Sequence, residues 1–202
     1  MVNIKLKKDF MPQRCPEPKW GHGPKRKILT RWAREKLRRG KFEHMPEGHN
    51  CEWGSRPTIA QKTKRGSTKA DDDFDIRVCG DYVRVNTQCV RFIANQPTIP
   101  YQLERGRGHM RYWYTDGRDQ YNGWQIKPSD RDILAIWTPI GLLRPTRMQF
   151  GWMNAGIVTQ GDIRRMMEND LSVHAKEHSM QAADDFSGFS DEIEVDGVMQ
   201  PD

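Results

Sequence analysis

Two adjacent aspartates, Asp184 and Asp185, separate two short apolar segments near the C-terminus. Met180–Ala182 precedes the pair and Phe186–Phe189 follows it, and this pattern predicts the two arms of a β-hairpin. A tight turn would bring both carboxylates near one point while the arms bury their apolar residues. Most pairs of this kind are solvated turn residues, so the pair by itself indicates no function.

A third carboxylate gives the pair a chemical context. Asp119 lies 65 residues before Asp184, in a segment of mixed polar and aromatic residues. One acid together with a distant acid pair is the set that nucleotidyl transfer by two metal ions requires, with the ions about 4 Å apart. Because Mg²⁺ prefers oxygen ligands, we expect Asp119, Asp184 and Asp185 to bind two Mg²⁺ ions, with Mn²⁺ as an alternative.

Charge is distributed unevenly along the chain. The formal net charge is +6, but residues 1–70 hold 19 basic and 6 acidic side chains, whereas residues 157–202 hold 3 basic and 11 acidic ones. A basic front half suits a polyanion such as nucleic acid, although a solvated arm would have the same composition. The acidic back half would repel nucleic acid unless metal ions intervene. The asymmetry therefore favours a polymerase over a simple nucleic-acid binder.

The chain carries no sign of a membrane, secretory or zinc-binding protein. No apolar run approaches the roughly 20 residues of a membrane span, and the N-terminal segment does not resemble a signal peptide. The four cysteines form no Cys-x-x-Cys pair, which argues against a zinc ribbon. We therefore expect an intracellular protein, in the cytoplasm or nucleus, with reduced cysteines and no membrane contact.

The first part of the chain predicts an arm, a helix and a hairpin. Residues 1–28 are rich in Pro, Lys and Arg and predict an extended basic arm, with disorder as the alternative. Thr30–Arg39 predicts a short basic helix that Thr30 caps and Gly40 ends. Ile59–Lys64 and Ile76–Cys79 predict a hairpin with positive charge at its tip.

The second part predicts strands around one long helix. Tyr112–Thr115 and Leu142–Phe150 read as extended segments, the second interrupted at Pro145, and Ile126–Trp137 reads as a strand pair broken by a polar turn at residues 127–130. Asn154–Leu171 has the apolar spacing of a helix. Strands interleaved with one long helix predict an α+β domain, with an antiparallel sheet and helices on one of its faces.

Six short motifs follow one another between Trp32 and Phe189. They are Ser55-Arg56-Pro57 with Lys62, Arg77-Val78-Cys79-Gly80-Asp81-Tyr82-Val83-Arg84-Val85-Asn86, Asp119-Gln120-Tyr121-Asn122-Gly123-Trp124-Gln125-Ile126, Trp137-Thr138-Pro139-Ile140-Gly141-Leu142, Arg147-Met148-Gln149-Phe150-Gly151-Trp152-Met153-Asn154-Ala155-Gly156 and Ala183-Asp184-Asp185. In this order and at this spacing they resemble the reverse transcriptase of a Ty3/gypsy-type long-terminal-repeat retrotransposon. The resemblance covers most of the chain.

The resemblance implies an RNA-directed DNA polymerase that adds deoxynucleotides to a primer 3′ end on an RNA or DNA template. Asp119, Asp184 and Asp185 would be the catalytic residues and the ligands of the two Mg²⁺ ions. Asp116, three residues before Asp119, competes for the position of the first carboxylate. We prefer Asp119, because it places Gly123 and Trp124 where the family has its Gly-Tyr pair.

The resemblance also implies five nucleotide-binding residues. Lys62 and Arg77 would close over the incoming deoxynucleoside triphosphate, with Lys64 as a rival for the lysine position. Trp124 would lie under the sugar and exclude a ribose 2′-hydroxyl. Phe150 and Gly151 would lie beside the nucleotide and the template. Ordinary core packing is the competing interpretation of Trp124 and Phe150.

The family also implies a division of the chain. Residues 1–28 form the arm, residues 29–111 a fingers-like region, residues 112–190 a palm-like region with the catalytic carboxylates, and residues 191–202 an acidic tail. The reverse-transcriptase-like fold would be truncated before the thumb, without a ribonuclease H region. We therefore expect the remainder of a retroelement polyprotein as a partner.

Two other interpretations stay open at this point. The chain could be a catalytically inactive retroelement remnant that only binds nucleic acid through its basic front half. It could also be an unrelated α+β protein, in which case all six motif matches would be accidental.

Overall fold

Helices and antiparallel sheets alternate along the chain in the computed structural model, which makes the protein an α+β protein. The structure describes residues 1–61, 76–93, 98–109, 111–116, 120–170, 179–182, 185–190, 192–195 and 198–201. The described α-helices are α1 (Pro24–Arg38), α2 (Val83–Gln88), α3 (Ile99–Gly106) and α4 (Ala155–Asp170). Two 3-10 helices span Gln120–Gly123 and Pro128–Leu134.

The described strands form four small sheets, all of them antiparallel. Their strand orders are β1-β6-β5, β2-β3, β4-β8-β7 and β9-β10. The strands are β1 (Phe42–His44), β2 (Pro57–Gln61), β3 (Ile76–Gly80), β4 (Arg111–Asp116), β5 (Ile136–Thr138), β6 (Gly141–Pro145), β7 (Ser179–Ala182), β8 (Asp185–Ser190), β9 (Glu192–Val195) and β10 (Val198–Pro201).

The chain divides into two compact units. The first contains residues 1–91 and 121–155, and the second contains residues 92–120 and 156–202. The division into fingers-like and palm-like regions stays a prediction.

An apolar cluster in the first unit joins α1 to the sheet β1-β6-β5. Ala33, Phe42, Ile136 and Leu143 are almost completely buried in it. Trp32 packs against this cluster and meets the ring of Phe42 edge-on, with 5.3 Å between the ring centroids. Edge-to-face packing of this kind adds to the stabilisation that burial alone gives. The cluster therefore fixes one face of α1 against the sheet and leaves the opposite face exposed.

The N-terminal arm follows an extended course along the first unit. The backbone N–H of Val2 donates to the carbonyl of Gln125 at 2.7 Å, and that of Lys7 donates to the carbonyl of Gln88 at 2.9 Å. Val2 and Ile4 are buried. Residues 24–28 of the predicted arm belong instead to α1. Apolar residues between the lysines explain why the start of the arm packs on the unit.

Two local predictions need correction. The helix predicted from Thr30 begins at Pro24, because proline suits the first turn of a helix, where its missing N–H has no intrahelical partner. The strand pair predicted within Ile126–Trp137 is wrong, because Pro128 begins a 3-10 helix and only Ile136–Thr138 is a strand. The interruption predicted at Pro145 within Leu142–Phe150 is confirmed, because β6 ends at that residue.

Other predicted elements are confirmed. The hairpin pairs β2 with β3 in register from Pro57 opposite Gly80 to Gln61 opposite Ile76, and its predicted basic tip lies outside the described residues. The long helix predicted from Asn154 is α4. In the part of the chain that the structure describes, no helix combines the length and the apolar character needed to cross a membrane.

Candidate active site

A three-stranded sheet in the second unit contains one member of the predicted acid pair. Its central strand, β8, pairs with β7 on one side and with β4 on the other. Ala182, the last residue of β7, is the register partner of Asp185, the first residue of β8. The predicted hairpin arms are therefore confirmed, and Asp184 lies outside the described residues.

The same sheet brings a second carboxylate position next to Asp185. Asp116 is the last residue of β4, and its register partner on β8 is Asp185. Residues directly opposite each other in an antiparallel pair occupy the same face of a sheet. Asp116, the rival for the first carboxylate in the sequence, is thus the register partner of Asp185. Asp119 lies outside the described residues.

The chemistry of these donors fits a hard divalent cation. Carboxylate oxygens are the ligands that Mg²⁺ prefers, and Mg²⁺ commonly takes only one or two carboxylates from a protein. Asp116 and Asp185 contribute two such positions from neighbouring strands. Among the residues that the structure describes, no group of three His, Cys, Asp or Glu side chains is placed to hold a metal ion.

In the first unit, a turn at Phe150–Asn154 is held by the side chain of Asn86. Its Nδ2 donates to the carbonyl of Gly151 at 2.9 Å, and its Oδ1 accepts from the N–H of Met153 at 3.0 Å. The buried Asn154 fixes the far end of the turn, because its Nδ2 donates to the carbonyl of Val90 at 2.8 Å. The sequence assigned Asn86 no role, and its place in the second motif was the one available signal.

Gly151 needs to be glycine for two reasons. Its φ is +92°, in the region that residues with a Cβ rarely adopt. A Cβ at this position would lie 3.0 Å from the carbonyl oxygen of Gly80. This close backbone approach is to the end of β3, within the protein itself. A role beside a nucleotide stays a prediction.

Two aromatic residues next to this turn were predicted to bind the nucleotide. The ring of Phe150 is 38% exposed and meets that of Tyr121 edge-on, with 4.6 Å between centroids. Trp124 is half-buried, and its carbonyl accepts from the N–H of Met148 at 2.9 Å. Core packing alone therefore accounts poorly for Phe150. The half-buried position of Trp124 is compatible with core packing and with nucleotide binding.

The basic residues predicted to close over the nucleotide belong to the β2–β3 hairpin. Arg77 is exposed on β3, opposite Ala60 on β2. Lys62 and Lys64 lie outside the described residues. An exposed guanidinium on a strand is available to phosphate oxygens, which its planar fork can bind in pairs.

Tyr82 connects the second motif to the 3-10 helix Pro128–Leu134. Its side chain is buried, and its hydroxyl donates to the carbonyl of Leu134 at 3.0 Å. Burial raises the pKa of this phenol well above its usual value, so it stays a neutral donor. The ring also occupies the space that a Cβ of Gly80 would need. Tyr82 therefore fixes the end of β3, a role that the sequence did not suggest.

Comparison of the chain with protein-family models and with curated proteins found no match.

Proposed function

We propose that the chain is the RNA-directed DNA polymerase (reverse transcriptase) domain of a Ty3/gypsy-type retrotransposon, with a reverse-transcriptase-like arrangement of fingers and palm. It adds deoxynucleotides to a primer 3′ end on an RNA or DNA template. The observation that carries the proposal is the register of β4 and β8, which sets Asp116 opposite Asp185. An acid on an earlier strand opposite one member of the acid pair fits the set of carboxylates that two-metal chemistry uses.

The carboxylates have a defined role in this proposal. Asp184 and Asp185, with Asp116 as the first carboxylate and Asp119 as its alternative, hold two Mg²⁺ ions. When bound, the ions would supply Lewis-acid stabilisation of the charge on the attacking and leaving oxygens. The carboxylates would position the primer terminus and the triphosphate relative to each other.

The first unit provides the nucleotide-binding residues. Arg77, with Lys62 or Lys64, neutralises and orients the triphosphate. Phe150 and Gly151 form the wall beside the base and the template, on the turn that Asn86 holds. Trp124 lies under the sugar and selects deoxyribose.

Mutual contact among the motifs supports the proposal. Asn86 of the second motif holds Gly151 of the fifth, and the carbonyl of Trp124 in the third accepts from Met148 in the fifth. The backbones of Ser55 in the first motif and Trp137 in the fourth are hydrogen-bonded at 2.9 Å. Accidental matches scattered through the sequence would have no reason to meet in this way.

Primer extension tests the proposal. A labelled DNA primer on an RNA template is incubated with the full chain, the four deoxynucleoside triphosphates and Mg²⁺. Incorporation that requires Asp185 supports the proposal. Binding of the template–primer without any incorporation would instead favour the catalytically inactive remnant.

A further inference from the structure

Helix α1 carries a continuous stripe of exposed basic side chains. Lys27, Arg31, Arg34 and Arg38 follow one another at intervals of four, three and four residues, which puts them on one face of a helix. All four are exposed, and the opposite face buries residues such as Ala33. The stripe spans 12 residues, from Lys27 to Arg38, or about 16 Å at the rise of an α-helix.

This arrangement is unfavourable for the helix itself. The first turn of α1 contains Lys25, Arg26 and Lys27 and no acidic residue, although the positive end of the helix dipole repels cations there. Like charges four residues apart, such as Arg34 and Arg38, also destabilise a helix. A polyanionic partner would neutralise the charges that repel the helix dipole and one another. Binding such a partner therefore accounts for the stripe, whereas the stability of the helix does not.

The only acid of α1 restrains part of the stripe. Nε of Arg38 lies 2.9 Å from Oε2 of Glu35, and its Nη2 lies 2.8 Å from Oε1. Arg39 bonds the same carboxylate. These arginines lower the pKa of Glu35 to about 2, so the carboxylate stays ionised and keeps engaging both of them at neutral pH. Glu35 therefore competes directly with any anion that approaches this end of the helix.

A groove of about 990 Å³ runs along the basic face, between α1 and Val78 of β3. The four stripe residues and His22 line it, and so does the half-buried ring of Trp32. A basic groove that also presents an aromatic surface is typical of proteins that bind single-stranded nucleic acid. The stripe itself, about 16 Å long, would span about five phosphates at the spacing of about 3.4 Å that one strand has along a duplex axis.

We propose that the stripe on α1 and the groove beside it bind the phosphate backbone of single-stranded nucleic acid without sequence preference. This surface is a further binding site of the first unit, and it requires neither the carboxylates nor a metal ion. Glu35 limits its affinity by holding Arg38 and Arg39.

Binding is measured by fluorescence anisotropy of a labelled 20-nucleotide oligothymidylate, with the full chain and EDTA. Lys27→Gln combined with Arg34→Gln should weaken binding and lower the slope of log K against log salt by about 1.4, since each lost phosphate contact contributes about 0.7. Glu35→Gln should strengthen binding. The matched control, Lys8→Gln with Arg91→Gln, changes the net charge equally at two exposed positions outside α1 and should have a smaller effect.

Several results would overturn the proposal. Equal losses of affinity in the α1 variant and the control would show that binding depends on net charge and not on the stripe. Equal or tighter binding of duplex DNA, or of poly-glutamate, would contradict a site for single strands. Circular dichroism checks that each variant is folded. Because the assay contains EDTA and no nucleotides, a chain that binds through α1 but extends no primer would disprove the proposed polymerase activity and leave this site standing.

Discussion

Asp116 and Asp185 are register partners on adjacent antiparallel strands, although 69 residues separate them in the sequence. The sequence favoured Asp119 as the first carboxylate because of the spacing to Gly123 and Trp124. The register favours Asp116, because it makes Asp116 the cross-strand partner of Asp185. The two assignments differ by three residues and can be separated by mutation.

Asp116→Asn should abolish nucleotide incorporation, whereas Asp119→Asn should retain most of it. The amide keeps the size of the side chain but removes the negative charge that a divalent cation requires. Steady-state primer extension with each variant gives the comparison, with unfolding curves as a check on stability. Loss of incorporation in Asp119→Asn alone would show that the sequence-based assignment was right and the register misleading.

Trp124→Ala should raise the use of ribonucleotides relative to deoxynucleotides. A bulky ring under the sugar leaves no room for a 2′-hydroxyl, and alanine would make that room. The measurement is the ratio of kcat/KM for the two triphosphates, with Trp20→Ala in the N-terminal arm as the aromatic control. An unchanged ratio in an active, folded variant would show that Trp124 has a packing role in the first unit and does not select the sugar.

Asn86→Ala should raise KM for the incoming nucleotide more than it lowers kcat. The amide makes two hydrogen bonds to the backbone around Gly151, and each contributes about 0.5–1.5 kcal/mol. Without them the turn that carries Phe150 loses its fixed position. Urea unfolding measures the loss of stability, and Asn50→Ala at an exposed loop position is the control. Equal kinetic effects in both variants would contradict a role for Asn86 in positioning the turn that carries Phe150.

Tyr82→Phe should lower the free energy of unfolding by about 1–3 kcal/mol. The change leaves the ring in place but removes the donor to the buried carbonyl of Leu134. Urea denaturation is compared with that of Tyr101→Phe, where the ring is 59% exposed and little change is expected. A loss below about 0.5 kcal/mol would mean that the hydroxyl does not hold the two segments together.

Stability should decline as the pH rises above about 9. Burial raises the pKa of the Cys51 and Cys89 thiols above their ordinary value of 9.0. The folded state therefore favours the protonated thiols. This contribution is complete below pH 9 and is lost as the pH rises through the folded-state pKa values. Cys51→Ala with Cys89→Ala should flatten the decline in unfolding free energy, and Cys15→Ala controls for loss of a thiol. An unchanged slope of the unfolding free energy against pH would show that these two thiols do not cause the decline.

The sequence predicted the helices and strands that are determined by local residue patterns. The arms around the acid pair and the hairpin of β2 and β3 alternate apolar residues between turn signals, and α4 has a helical apolar spacing. Helix α2 was not predicted, because Val83, Val85 and Thr87 are β-branched and favour strands in isolation. Helix α3 was not predicted either, although Thr98 caps this helix and Pro100 lies in its first turn, the usual start signals.

The relationships that matter for function depend on tertiary structure. The hydrogen bond between Asn86 and Gly151 joins residues 65 positions apart, and the pairing of Asp116 with Asp185 depends on strand register. A register shift of one residue would move every side chain to the other face, and no local pattern specifies which register forms. For this reason the motifs identified candidate residues, whereas only the tertiary structure shows which residues lie next to them.

The most direct test of the account is primer extension with Asp185→Asn beside wild type and an Asp9→Asn control, an exposed acid in the arm. Wild type and Asp9→Asn should extend the primer in the presence of Mg²⁺. Asp185→Asn should reduce incorporation at least about 100-fold, because it removes a ligand of ions worth several kcal/mol in the transition state. Incorporation at the wild-type rate by a folded Asp185→Asn variant would contradict the proposed active site.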